Sequence, residues 1–367
     1  MTLRISPADR AWFRRCRRSW DLGARIRRNL EPAPARPVPN VDRAMRDALA
    51  VYYFPGMWDW ERSIVLPLVR TALRDSFERQ RVAGAPVDPA RAAEAGALLE
   101  RYVEWAPEVD GYSPLRVEAE FEVDVLVTGS AEVGLVADDG SPIRYAGRVD
   151  AVVTDRSDAP WLVQHRVVSG EPPADADLLR DEELLAACWA WEQFYQGMEV
   201  AGTVHNELRI GVAEVEGASG PSGEGHRGLP QHEPSGGGRS FPHHRRVGAR
   251  EGAGDVERMR RVEAGPFRRT AIARSRAEIR AAGARLAVEA AEMADPDVRI
   301  YPSPSPEHCP SCPFVDPCLV MFEGRDPVEV LAAGYRSRGP DVPVPGRLGG
   351  MAWSLGRGAT VPRRPRG

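Results

Sequence analysis

Three of the five cysteines fall within ten residues, in the segment Cys309-Pro-Ser-Cys312-Pro-Phe-Val-Asp-Pro-Cys318. Three thiols do not close a metal site, because a zinc ion or an iron-sulfur cluster held by thiolates wants four. The remaining candidates are Cys188 and Cys16. Cys188 lies on the apolar stripe of a helical segment and reads as core, whereas Cys16 sits in Arg14-Arg15-Cys16-Arg17-Arg18, where the arginines would stabilise a thiolate. A ligand set of Cys16, Cys309, Cys312 and Cys318 would tie the two ends of the fold together across nearly the whole chain. It implies a [4Fe-4S] cluster, with zinc as the alternative, in a structural role.

A disulfide framework is not expected. The chain has no apolar run near the roughly 18 residues of a spanning helix, and Met1-Thr-Leu-Arg-Ile-Ser-Pro7 lacks the apolar stretch of a signal peptide. The expected compartment is the cytoplasm, without a membrane partner.

The order of elements is legible from periodicity. Ser6 is a candidate N-cap, with Pro7 at the first helical position and Asp9 in the first turn, so a continuous basic helix carrying Cys16 should begin there. Further helices are predicted over 42–54, 62–81 and 89–105, which makes the first 110 or so residues a helical part. From Leu115 the period becomes two: Val117, Ala119, Phe121, Val123 and Val125 alternate with Glu118, Glu120, Glu122 and Asp124. Strands over 143–153 and 161–168 should complete an antiparallel meander, followed by a helix over 177–196 and a strand over 205–212.

Residues 215–242, rich in Gly, Ser and Pro, read as a mobile insertion whose histidines (His226 and His232, with His243 and His244 just beyond) are loop residues. A basic helical stretch should follow, then a capping box at Ser275 and Glu278 opening an Ala-rich helix. A Cys-rich closure over 301–320, which the prolines should keep from forming a regular helix, ends the ordered body. Residues 338–367 read as a disordered basic tail.

All 49 basic side chains are arginine, because the chain contains no lysine. A phosphate-binding lysine, a Schiff-base lysine and a lysine general base are therefore excluded. The net charge of −4 hides segregation: residues 1–30 and 241–286 each carry +7 and residues 338–367 carry +5, on an otherwise acidic body. Arginine forks suit phosphate, so Arg14, Arg15, Arg17, Arg18, Arg245, Arg246, Arg268 and Arg269 are candidate nucleic-acid contacts.

Taken in order, the Ser-Pro helix with Cys16, the Gly147-Arg-Val-Asp150 strand, the Trp161-Leu-Val-Gln-His-Arg-Val-Val168 strand, the next helix and the terminal cysteine triplet resemble the RecB-like, iron-sulfur branch of the PD-(D/E)XK nuclease superfamily. The resemblance implies an α/β fold with a restriction-endonuclease-like core over 1–322: a mixed central sheet over about 115–212 flanked by helices, a helical N-terminal region and a C-terminal Cys-rich cluster segment. It also implies catalysis in which a G-x-[IV]-D aspartate and a (D/E)-x-K pair hold Mg²⁺ and orient water.

Asp150 matches the first acid and would be a Mg²⁺ ligand. The pair, however, reads Gln164-His165-Arg166, so a neutral amide replaces the acid and an arginine replaces the lysine. Residues 164 and 166 still share one strand face. His165 points the other way and reads as a packing or surface residue rather than a base. The upstream histidine of many members is missing, with Arg46 nearest its place, and Trp191-Glu-Gln-Phe-Tyr195 is a loose substitute for a Q-x-x-x-Y pattern.

Three functions follow. The first is a nuclease-derived protein that binds nucleic acid, foremost DNA, with nuclease activity weakened or lost. The second is a divergent Mg²⁺- or Mn²⁺-dependent DNA exonuclease using Asp150, Arg166 and an acid such as Glu118 or Glu120 from a strand face turned inward. The third is a metal-stabilised scaffold for a protein partner.

Overall fold

A computed structural model describes residues 2–33, 38–130, 132–211 and 258–339. The expected insertion over 215–242, its histidines, Arg245, Arg246 and the tail from residue 340 lie outside the described residues.

The sheet is built around one long strand. β1 (Leu3–Ile5) and β5 (Pro160–Ser169) share one edge of β4 (Ile143–Thr154), β1 running parallel and β5 antiparallel, while β3 (Ser113–Asp124) covers the other edge antiparallel. From β5 the order continues through β6 (Gly202–Ile210), β8 (Phe267–Ala273) and β7 (Met259–Ala264). The meander expected over β3 to β5 is present. The step from β5 to β6 is parallel, made by a crossover through α6 (Asp175–Leu179) and α7 (Glu182–Phe194). The architecture is therefore a mixed sheet between helical layers.

One face packs on α1 (Pro7–Arg15), α2 (Arg17–Gly23), α7 and α8 (Arg276–Ala294), around buried Trp20, Phe121, Val152, Trp191 and Leu286. On the opposite face α3 (Val41–Tyr52), α4 (Arg62–Val82) and α5 (Pro89–Val109) enclose Leu49, Leu99 and Tyr102, with Leu208 and Phe267 from the sheet. Gly147, in the expected motif strand, is required by close approach: a Cβ there would stand 2.6 Å from the Phe121 ring and 3.2 Å from Pro7. Both predicted capping boxes are formed, at Ser6 with Asp9 and at Ser275 with Glu278.

Four local expectations are corrected. The N-terminal helix is broken at Cys16, whose backbone is extended (φ −164°, ψ 112°) between α1 and α2. The segment read as a basic helix instead forms the β7–β8 hairpin, because β8, paired on both edges and buried from Phe267 to Ile272, is held by tertiary pairing that overrides the local helix preference. The helix expected over 177–196 is interrupted at residues 180–181, where Asp181 caps a fresh start. Finally, the Cys-rich closure does hold a helix, α9 (Val315–Phe322): Pro317 falls in its first turn, where a backbone N–H has no intrahelical acceptor to lose.

The two ends are tied by protein contacts. β2 (Leu30–Pro32) pairs antiparallel with β9 (Tyr335–Ser337), which follows the short helix α10 (Val328–Gly334). Phe314 is buried between Trp12 and Tyr335, and Arg338 Nη1 donates to the Gly23 carbonyl at 2.7 Å. Among the described residues no helix is long and apolar enough to cross a membrane.

Candidate functional site

β4 and β5 pair only from Ala151 to Thr154 against Val163 to Pro160, and then part. Where they part, the free edge of β5 presents backbone N–H groups that no strand accepts. Two carboxylates take them: His165 N donates to Asp150 Oδ2 and Val167 N to Asp42 Oδ1, both at 2.8 Å. Arg46, one turn along α3 from Asp42, spans the other oxygens, with Nη2 3.0 Å from Asp42 Oδ2 and Nη1 3.7 Å from Asp150 Oδ1. Burial pushes the Asp150 carboxyl up to about 6, against the pull of Arg46, the His165 N–H and Arg148.

Gln164 and Arg166 lie beyond the parting on one face of β5. Gln164 Oε1 is buried with no hydrogen-bond partner. Arg166 Nη2 donates to Asp181 Oδ2 at 3.0 Å, while Asp181 Oδ1 accepts the Leu184 N–H as the N-cap of α7. The break in the predicted helix therefore places this acid against Arg166. Across from Gln164 on β6 stands His205, buried, with Nδ1 3.9 Å from Asp181 Oδ2 and its pKa held down to about 4 by burial although Asp181 pulls it up.

Glu183 joins the same electrostatic environment. Its carboxyl is raised by burial and Asp181 and lowered by Arg166, Arg46 and Arg10. Neither Asp181 nor Glu183 was among the residues singled out from sequence. The available signal was an N-cap acid followed by Glu182 and Glu183, which reads equally well as ordinary helix-start chemistry.

The acids of β3 are not equivalent. Glu120 is exposed, but Glu118, which stands opposite Asp150 between the Val117–Ala151 and Ala119–Val149 pairs, has φ +45° and turns inward to accept Arg148 Nη1 at 3.1 Å. A left-handed conformation is uncommon for a glutamate within a strand and marks local strain.

The opposite face of β5 holds a buried polar network. His165 Nδ1 lies 2.9 Å from Asn206 Nδ2, which also donates to Tyr102 Oη at 2.9 Å; Arg269 reaches Tyr53 Oη and Tyr102 Oη at 2.8 Å and pairs with Asp110. Of the packing or surface role expected for His165, burial selects packing, its pKa lowered to about 3 by burial and by Arg269 and Arg46. Arg269 and Arg268, read from sequence as phosphate contacts, are corrected. Both are buried in the hairpin strand β8, Arg268 against Glu207 and the Pro173 carbonyl, and neither is presented to a ligand. The Trp191-to-Tyr195 segment likewise lies away from the parted strands: its two rings pack together at 4.5 Å and Trp191 donates to Met198 Sδ.

A profile of the PD-(D/E)XK nuclease superfamily matches residues 4–319. The chain belongs to the PD-(D/E)XK nuclease superfamily. The mixed sheet flanked by helices agrees with the restriction-endonuclease-like core of that superfamily. No curated protein matches the sequence. Among solved structures, one titled "Crystal structure of SSO0001" aligns at 11% identity over 48% of this chain and 66% of that one, slightly under two thirds of its length, with a TM-score of 0.21.

In this PD-(D/E)XK protein the residues at the parted strands do not fit a divalent cation. Asp150 and Asp42 each give one oxygen to a backbone N–H and turn the other toward the Arg46 guanidinium, and Gln164 brings no charge. Among the described residues no three His, Cys, Asp or Glu side chains gather so as to hold a metal ion.

The terminal cysteine segment packs against the N-terminal helices. All five are free thiols, and Cys188 is fully buried, as core packing requires. Cys312 Sγ lies 3.7 Å from Ser19 Oγ, and Cys318 Sγ 3.5 Å from Arg18 Nη1, so the terminal segment rests on the helix that starts after Cys16. Cys309 Sγ accepts the Ser305 N–H at 3.3 Å.

The arginines around Cys16 are mostly engaged within the protein. Arg14 and Arg17 pair with Glu289 and Glu292 of α8, Arg18 with Cys318, and Arg15 is exposed.

Proposed function

We propose that this chain is a RecB-like, iron-sulfur-branch member of the superfamily that binds nucleic acid, foremost DNA, and has lost the metal chemistry of a nuclease. The observation that carries this reading is the use of both site carboxylates as caps for the parted edge of β5, clamped by Arg46, with Gln164 and Arg166 at the motif positions. A guanidinium standing where the aspartate would meet a metal competes with that metal directly. The superfamily supports a nucleic-acid partner. Arg46, Arg148 and Arg166, each between one third and one half exposed, supply cations at the mouth of the site.

The test is a salt titration of binding to labelled DNA, run beside a nuclease assay in Mg²⁺ and Mn²⁺. Salt-dependent retention without cleavage is expected. Absence of retention at low salt rejects the binding role.

The inward turn of Glu118 favours a second reading, a divergent Mg²⁺- or Mn²⁺-dependent exonuclease in which Glu118 and Asp150 supply the acids after Arg46 and Arg148 swing aside. Cleavage abolished by both Asp150→Asn and Glu118→Gln would establish it. For the cluster, Cys16, Cys309, Cys312 and Cys318 are the proposed ligands. Four iron atoms per chain in anaerobically purified protein support it, and one zinc with no iron assigns the site to zinc.

A further inference from the structure

A cavity of about 620 Å³ opens between α3 and α4, with Glu118 of β3 in its wall. Its walls are apolar and aromatic, with Phe54, Met57, Trp60 and Leu68 among them, and Trp60 stands 55% exposed at its rim. Trp60, Ile64 and Leu68 recur at a spacing of four, and all three are exposed. Its polar lining is mainly carboxylate: Glu118, Asp75 and the Asp47 that pairs with Arg79.

We propose that this cavity receives an unstacked base of single-stranded DNA whose backbone crosses the mouth of the Asp150 site. The inference rests on the nucleic-acid-binding reading and adds strandedness to it. Three observations commit the cavity to a base. Phosphate is disfavoured inside, because the acids outnumber Arg79. A base suits the mixture, since its flat faces stack on Trp60 while a ring N–H, such as that of thymine, finds a carboxylate acceptor. The cavity is also linked to the site through one residue: Glu118 lines it and binds Arg148, whose charge acts on Asp150. Glu118 lines the cavity half-buried, while Glu120 and Glu122 on the same strand are exposed. The volume lies within the roughly 300–1,000 Å³ of small-ligand sites.

The experiment measures binding of the full chain to three fluorescent probes of equal length: an oligothymidylate, an abasic sugar-phosphate strand and a hairpin duplex. The wild type should prefer the oligothymidylate to the other two by roughly tenfold, within the range for stacking one base on an aromatic ring. Trp60→Ala should remove the preference, Trp60→Phe should keep most of it, and Leu68→Asp should remove it by charging the wall. Equal binding of all three probes, unchanged in Trp60→Ala, overturns the base cavity but leaves nucleic-acid binding standing. No binding of any probe at low salt overturns both. A Trp60→Ala protein that keeps the strand preference but changes its oligomeric mass assigns the cavity to a second copy of the chain and overturns the proposal.

Discussion

Two arginine–carboxylate sites lie on either side of β5, and they are built on opposite principles. On one side, Arg269 and Asp110 are 5% and 3% exposed, and the guanidinium is surrounded by Asp110, Tyr53, Tyr102 and Asn206. On the other, Arg46 and Asp150 are 35% and 12% exposed and stand 3.7 Å apart. The first is a closed knot in which each guanidinium nitrogen of Arg269 has a hydrogen-bond partner. In the second, a desolvated carboxylate faces a cation that solvent can reach. A closed pair holds α3 and α5 to the sheet, whereas an open pair can exchange its partner for a ligand.

The largest expected effect tests the closed knot. Arg269→Leu leaves Asp110 buried and unpaired and should cost about 3–5 kcal/mol in chemical denaturation. Arg46→Leu, at a half-open site, should cost about 1 kcal/mol. Equal costs would erase the distinction.

The next effect concerns pH. Asp150 titrates in the folded protein near 6, above its ordinary value of 3.8. A carboxyl raised on folding adds its stability in full below the ordinary value and loses it as pH rises through the folded value. Asp150→Asn should therefore remove a decline of order 2 kcal/mol between about pH 4 and 6. Denaturation midpoints followed across that interval should separate in favour of the variant above pH 6. Parallel curves would mean that the carboxylate is well solvated. The smallest effect is at Arg166, a third exposed on Asp181: Arg166→Met should cost under about 1 kcal/mol while weakening DNA retention at low salt.

Much of this arrangement was legible in the residues. The Ser6 N-cap, the Ser275 capping box, the strand alternation from Val117 and the Gly147-Arg-Val-Asp150 strand all follow from local chemistry and motif order. Arg268 and Arg269 were misread because a run of basic residues carries no information about which strand will bury it. Asp42, Asp181 and Glu183 were missed for a related reason, since acids at helix starts look like caps whether or not they also serve a site. Glu118 was visible as an acid on a polar strand face, but its inward turn depends on a backbone conformation that side-chain alternation does not encode.

By itself, the sequence determined most of the elements up to β6 and the superfamily, because these depend on residue type and short spacing. Only the tertiary structure decided which charges are compensated. The parting of β4 from β5 leaves two backbone N–H groups that need acceptors, and the nearest carboxylates, Asp150 and Asp42, are drawn onto them with Arg46 between. That outcome is set by where strands stop pairing, a property of the packed sheet that no local stretch of chain specifies.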